Sequence, residues 1–218
     1  MKIHAIGDSH IFSFKENDNF IVHKNWAATA FKLGESEHSS RLRVLKILKE
    51  ENIDKINDIV LLSFGEIDCG LHIYNIHKRD KIPISILIDN TIANYGKMIK
   101  EIEKMGFKIC IYSIPPSQDT PDLWNLPYFA PLVVRVQIVK EFNEKLDMFC
   151  KENNIPFINI FSMVSNKNGS VSSKYSNFPI KSSKDKTHLN KKIVPFVLLK
   201  IYQAFKIKYI KKSLQNDV

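Results

Sequence analysis

The chain is short of the residues that would tie it down covalently or carry it through a membrane. It has only three cysteines, Cys69, Cys110 and Cys150, widely spaced and with no CxxC pair. An odd, scattered set excludes a disulfide framework and a structural zinc knuckle, and it points to a reduced, cytoplasmic setting. No uncharged apolar run approaches the roughly 18 residues that span a bilayer. The opening MKIHAIGDSH breaks its short apolar stretch at His4 and then meets Asp8. A secretory leader needs an apolar core of about 7–15 residues, so none is read here. Glycine and proline are few, 7 and 9, and aperiodic, which removes collagen-like and low-complexity classes. No repeat of roughly 20–50 residues recurs, so solenoids and propellers are out.

Arginine is scarce as well. Only Arg41, Arg43, Arg79 and Arg135 stand among 32 basic residues, and the remainder are lysine. Nucleic-acid binders concentrate arginine for bidentate contacts, so no nucleic-acid partner is expected. The net charge of +9 comes from dispersed lysines, densest in KIKYIKK at 206–212. Dispersed lysines read as a solvated surface, or as a taste for anionic substrates. The tail itself can make peripheral contact with a membrane surface.

What is present is ordinary globular material: 218 residues, 44% hydrophobic and 11% aromatic. That length fits one domain, taken here as 1–206, with 207–218 as a basic tail. Apolar runs at 2–6, 59–64 (IVLLSF), 107–114 (FKICIYSI) and 155–161 (IPFINIF) read as strands buried on both faces. Helical spacing occupies 39–51, with Ser39 or Ser40 as N-cap, then 83–104, 132–153 and 191–206. Gly106 falls where a helix C-terminus wants a left-handed residue. Residues 117–131, with three prolines, and 164–187 read as loops. Strands alternating with helices predict an α/β domain around a parallel sheet. Active sites in such sheets lie at the carboxyl ends of the strands.

Polar residues gather at those ends. Gly7-Asp8-Ser9-His10 follows the first strand and Gly65-Glu66-Ile67-Asp68 the second, while Asp185-Lys186-Thr187-His188 precedes the last helix. Each has a plain reading: a capped turn for Gly-Asp-Ser, a charged helix start for Asp-Lys-Thr-His. Each also has a chemical one. A serine after a strand exposes its Oγ beside backbone amides that can hold an oxyanion. An aspartate three residues before a histidine can orient Nδ1 and leave Nε2 to the serine.

Taken together and in this order, the three blocks resemble the SGNH, or GDSL-like, hydrolase family. The resemblance runs from Gly7 to His188. The GDSH and GEID versions of the blocks are similar to a bacterial subgroup that often accompanies polysaccharide biosynthesis. It implies a flavodoxin-like three-layer α/β/α sandwich and acyl-ester chemistry without cofactor or metal. It further implies Ser9 as nucleophile, His188 as general base and Asp185 as its orienting acid. The substrate it implies is a small-molecule or glycan ester.

The family's third block usually carries an asparagine that donates to the oxyanion, and Ile67 occupies that position here. Gly34 is the candidate for the glycine N–H of the second block, with Asn25 as a side-chain donor. Gly65, Glu66 and Asp68 are assigned to the substrate-binding edge. Glu66 and Asp68 can bind sugar hydroxyls or, with His10 or His72, a divalent metal; alternatively Asp68 accepts N–H bonds from the Ser9 loop. The missing asparagine leaves two further functions open: an accessory binding protein, or a group transferase of polysaccharide biosynthesis.

Overall fold

The computed structural model describes residues 1–25, 27–118, 126–177 and 188–207. β1 (Ile3–Gly7), β3 (Ile59–Ser63) and β4 (Ile109–Tyr112) are buried at every position. A strand covered on both faces has no solvent side to alternate toward, hence IVLLS and ICIY. β2 (Phe20–Lys24) and β5 (Phe157–Ile158) form the edges. Every pairing is parallel, in the order β2-β1-β3-β4-β5. This is the flavodoxin-like doubly wound order.

Helices cover both faces. On one, Val44 and Leu48 of α1 (Ser39–Glu50), Ile99 of α3 (Ile84–Lys104) and Phe142 of α4 (Leu132–Glu152) pack on Ile6, Val60 and Leu62. On the other, Ile11 and Phe14 of a 3₁₀ turn (Ser9–Phe14) join Val164 of α5 (Phe161–Val164) and Val197 of α6 (Val194–Ala204). These pack on Ile3, Ala5, Leu61 and Tyr112. Each such side chain contributes about 1.5–3 kcal/mol by leaving water. None of the described helices is long and apolar enough to cross a membrane. Residues 208–218, most of the basic tail, lie outside the described residues.

Three expectations need correcting. The sequence reading predicts four strands, and β2 is a fifth. Its five residues include half-exposed or exposed Ile21, Val22 and Lys24, because an edge strand is covered less completely. The chain also coils at once after β3: a π-helical turn (Asp68–His72) runs into α2 (Ile73–Asp80). Finally, α1 is capped by His38, whose Nδ1 accepts from Ser40 N at 3.2 Å, rather than by a serine.

His4 on β1 and His23 on β2 share one face of the sheet. His4 Nδ1 and His23 Nε2 stand 3.0 Å apart, with the rings only 6° from parallel. Their outer nitrogens face Asp58 Oδ2 at 3.5 Å and Glu51 Oε1 at 3.8 Å. One proton fits between the rings, so the pair cannot become doubly cationic without breaking its hydrogen bond. Burial lowers both imidazoles from their ordinary 6.5, outweighing the pull of the carboxylates. An imidazole lowered by folding binds fewer protons than the unfolded chain, so its contribution is present above 6.5 and lost as pH falls through the lowered value. The double variant His4→Phe/His23→Leu should therefore lose part of the fall in stability seen below about pH 6.5. Denaturant unfolding at half-unit pH steps checks this; parallel curves for the two proteins would exclude it.

Candidate active site

Strand order reverses between β1 and β3, so the connections leaving their carboxyl ends run to opposite edges of the sheet, at the crevice position where doubly wound sheets bind ligands. The chain leaves β1 through a very close contact. A Cβ on Gly7 would stand 2.4 Å from Ser63 O and 2.8 Å from Ile11 Cγ2. Only glycine permits this, and it lets Asp8 N donate to Ser63 O at 3.1 Å. The Asp8 side chain then caps the 3₁₀ turn, accepting from His10 N at 3.0 Å. Ser9 is thereby the first residue of the turn, half-buried at the crevice.

His188 meets it from the far end of the chain. Its Nε2 lies 2.6 Å from Ser9 Oγ, the distance of a hydroxyl donating to an imidazole nitrogen. The segment that carries it is pinned on both sides. His188 O accepts from Asn177 N at 3.0 Å, and Leu189 is buried and bridged to Ser176. Asn190 donates to Lys174 O and Ser176 O while its Oδ1 caps the next turn. Asp185 lies outside the described residues.

His10, the residue after the serine, closes the group. Its ring is buried, 4.8 Å from the His188 ring between centroids and tilted 43°. Its Nε2 is 3.5 Å from Glu66 Oε2. Glu66 follows Gly65, whose φ of +120° turns the chain out of β3 and whose missing Cβ leaves room for Ile114 and Phe142. Burial pushes the Glu66 carboxyl up, but the hydrogen bond and charge of His10, with His188 and Arg135, hold it below its usual value. Arg135 of α4 is itself buried, with Nε on Ala130 O and its guanidinium over Phe129. Asn143, two turns on, clamps Ile114 through both its N–H and its carbonyl.

Two further carboxylates lie beneath. Asp68 Oδ2 accepts from Ala30 N at 2.7 Å and Oδ1 from Phe31 N at 3.3 Å. Its partners are thus the start of the 3₁₀ turn Phe31–Gly34, not the Ser9 loop. Burial pushes Asp8 and Asp68 up to about 6, and the Glu66 charge adds to both. Cys69 is buried beside them, its thiol raised well above its ordinary value first by burial and then by Asp68 and Glu66. Such a thiol is not a nucleophile.

The two residues assigned to the oxyanion hole also have contacts of their own. Asn25 is buried just past β2; its N donates to Gly7 O and its side-chain amide gives one N–H to Ser40 O at 2.7 Å. Gly34 serves packing: a Cβ there would stand 2.5 Å from Asn94 Cβ and 2.7 Å from its Cα on α3. Ile67 brings no polar side-chain atom. His72 is exposed, and desolvation by its surroundings lowers its imidazole. Among the described residues, no group of three or more His, Cys, Asp or Glu could hold a metal ion. Sequence reasoning joined His10 to Glu66 only through a shared metal; their direct contact spans 56 positions, and neither block fixes a side-chain direction.

No family model and no curated protein matches the sequence. Solved structures do. A GDSL-like lipase from Bacteroides thetaiotaomicron is similar over 94% of this chain and 87% of its own, at 18% identity and a TM-score of 0.57. An acetyl xylan esterase matches over 94% and 99%, at 13% identity and 0.51. The OSK domain of Drosophila Oskar matches over 93% and 87%, at 15% identity and 0.56. The likeness establishes that this chain has the fold of the GDSL-like proteins.

Removing Asp68 leaves the buried Ala30 N–H without an acceptor, so Asp68→Ala should cost about 1–3 kcal/mol in chemical denaturation. A loss under about 0.5 kcal/mol would show that water or another acceptor takes its place. A buried carboxyl raised to about 6 stabilises the fold below its unfolded value of 3.8 and loses that contribution as pH rises through 6. Asp8→Asn, which can still cap His10 N, should flatten that decline by about 2–3 kcal/mol between pH 4 and 7.

Proposed function

We propose that the chain is a serine esterase that removes or transfers an O-acyl group carried by a carbohydrate or glycan precursor. The observation that carries this reading is the 2.6 Å contact between Ser9 Oγ and His188 Nε2 at the β1/β3 crevice. Ser9 Oγ attacks the ester carbonyl and passes its proton to His188 Nε2. The tetrahedral intermediate collapses to an acyl-serine as His188 returns that proton to the leaving alcohol. Water, or a second hydroxyl, then gives its proton to His188 as it attacks the acyl-serine, and His188 returns that proton to Ser9 Oγ as the acyl group leaves. Asp185, three residues before His188, is the proposed orienting acid. The Ser9 backbone amide, at the first position of its turn, is the proposed oxyanion donor. The carbohydrate assignment rests on the GDSH and GEID blocks, and the acetyl xylan esterase among the structural neighbours supports an O-acetyl sugar as a first substrate. Three buried thiols suit a reducing compartment.

A second reading, an accessory binding or group-transfer role with little hydrolysis, is favoured by Ile67, which brings no side-chain donor to the oxyanion block. A lost oxyanion donor costs about 3–4 kcal/mol of transition-state stabilisation.

A fluorophosphonate probe should label one equivalent of Ser9 in the native protein and none in Ser9→Ala. Absence of labelling, or acetyl-ester turnover surviving in Ser9→Ala, removes Ser9 as nucleophile. If the side-chain donor is limiting, Ile67→Asn should raise kcat by up to about tenfold with KM little changed. A fall in both kcat and thermal midpoint would show that Ile67 is needed for packing and that the hole is already filled.

A further inference from the structure

Ser9 and His188 account for the attack and the proton, but not for the charge next to them. Glu66 is a carboxylate beside the serine, and no step above uses it. Among the described residues, Ser9 and His10 of the β1 end touch His188, and the charges of Glu66 and His188 act on each other. Asp8 lies on the same turn and caps His10 N, Asp68 follows Glu66 after β3, and Arg135 of α4 acts on Glu66 through its charge. Asp8 and Asp68 have their charges met by backbone donors, His10 N for one and Ala30 and Phe31 N for the other. Glu66 instead faces side chains, and two of them are the imidazoles of His10 and His188.

His10 is placed to link Glu66 with the base. Its backbone is fixed by the Asp8 cap, its Nε2 is 3.5 Å from Glu66 Oε2, and its ring lies 4.8 Å from the His188 ring. A tilted ring at that distance restricts rotation of its neighbour. When His188 takes the Ser9 proton it becomes a cation between the Ser9 oxygen and this pair.

We propose that Glu66 and His10 are positioning residues of the esterase: His10 holds the His188 ring against Ser9, and the Glu66 carboxylate supplies counter-charge to the imidazolium that forms there. The inference rests on the serine-esterase reading for its catalytic meaning. It adds a second carboxylate to the one proposed at Asp185, and it gives the Glu of the GEID block a task other than holding substrate. While His188 is cationic His10 must be neutral, with its Nε2 side turned to Glu66, since two imidazolium rings at this distance oppose each other.

The test reads His188 directly, so it does not depend on turnover. Histidine-ring NMR on the full chain, with His188 assigned by His188→Gln, gives its titration midpoint in the native protein and in variants. Glu66→Gln keeps shape and loses charge; the midpoint should fall by about half to one pH unit, because the imidazolium loses an anion. Glu66→Asp keeps the charge and should return the midpoint to within about 0.3 unit of native. Where an acetyl-ester assay gives turnover, Glu66→Gln should move the acid limb of kcat/KM by the same amount and lower plateau kcat about 5–30-fold, leaving KM within twofold. His10→Ala should lower the rate of fluorophosphonate labelling at Ser9 by about tenfold or more with the thermal midpoint little moved. An unmoved His188 midpoint in Glu66→Gln overturns the proposal, and so does a change confined to KM, which assigns Glu66 to substrate. Native protein that is never labelled at Ser9 fails the esterase reading instead, while a shifted midpoint would still establish the Glu66–His188 coupling.

Discussion

Gly7 has no side chain, and the carbonyl oxygen of Ser63 fills the space one would need. That contact is the constraint on which the crevice depends. It holds the ends of β1 and β3 together through the Asp8 N–H bond to Ser63 O, so the chain turns upward there. Ser9 and His10 then face the start of the helix that follows β3. Any side chain at position 7 pushes β1 off β3 where strand order reverses. The whole group of Ser9, His10, Glu66 and Asp68 is thus placed by backbone, on strands buried to the last residue. A site built on such strands is held more rigidly than one on loops.

Much of this was legible in the sequence, and the limits have physical causes. The central strands could be read because burial on both faces leaves an unbroken apolar run. β2 could not, because an edge strand with His23 and Lys24 in five residues has neither run nor clean alternation. Ser9 and His188 could be named because their blocks sit at a strand end and before a helix, and topology carries such positions to one edge. Gly34 was read as a donor through the family's second block, with Asn25 beside it. A glycine can also be required for close packing, and Gly34 lies tight against Asn94. An asparagine amide goes to whichever carbonyl is nearest in the fold, which here is Ser40 O. Neither preference is written in residue identity.

The two histidine pairs show how one residue type does different work. His4 and His23 stack in a dry layer between β1, β2 and α1, with carboxylates at their outer nitrogens. Nothing nucleophilic is near them, and their effect is on stability. His10 and His188 lie at the carboxyl edge with a serine on one side and a carboxylate on the other. The sheet separates the two by strand direction alone: His4 lies three residues before Gly7 on the same strand.

Glu66 stands in a different energetic position from its neighbours. Its charge raises both Asp8 and Asp68, two buried carboxylates already penalised by lost solvation. A neutral residue at 66 would relieve both, and packing alone favours one. The surface ion pairs of this chain, such as Lys151 with Asp147, carry no comparable penalty because water screens them. A charge that works against the fold, yet is held ionised by two imidazoles and a guanidinium beside Ser9, meets a demand other than folding. In this crevice the demand is met where positive charge develops, at the histidine that would take the serine's proton. The same reasoning separates Asp68 from Glu66: one binds backbone and holds a turn in place, and the other faces side chains that can themselves gain or lose a charge.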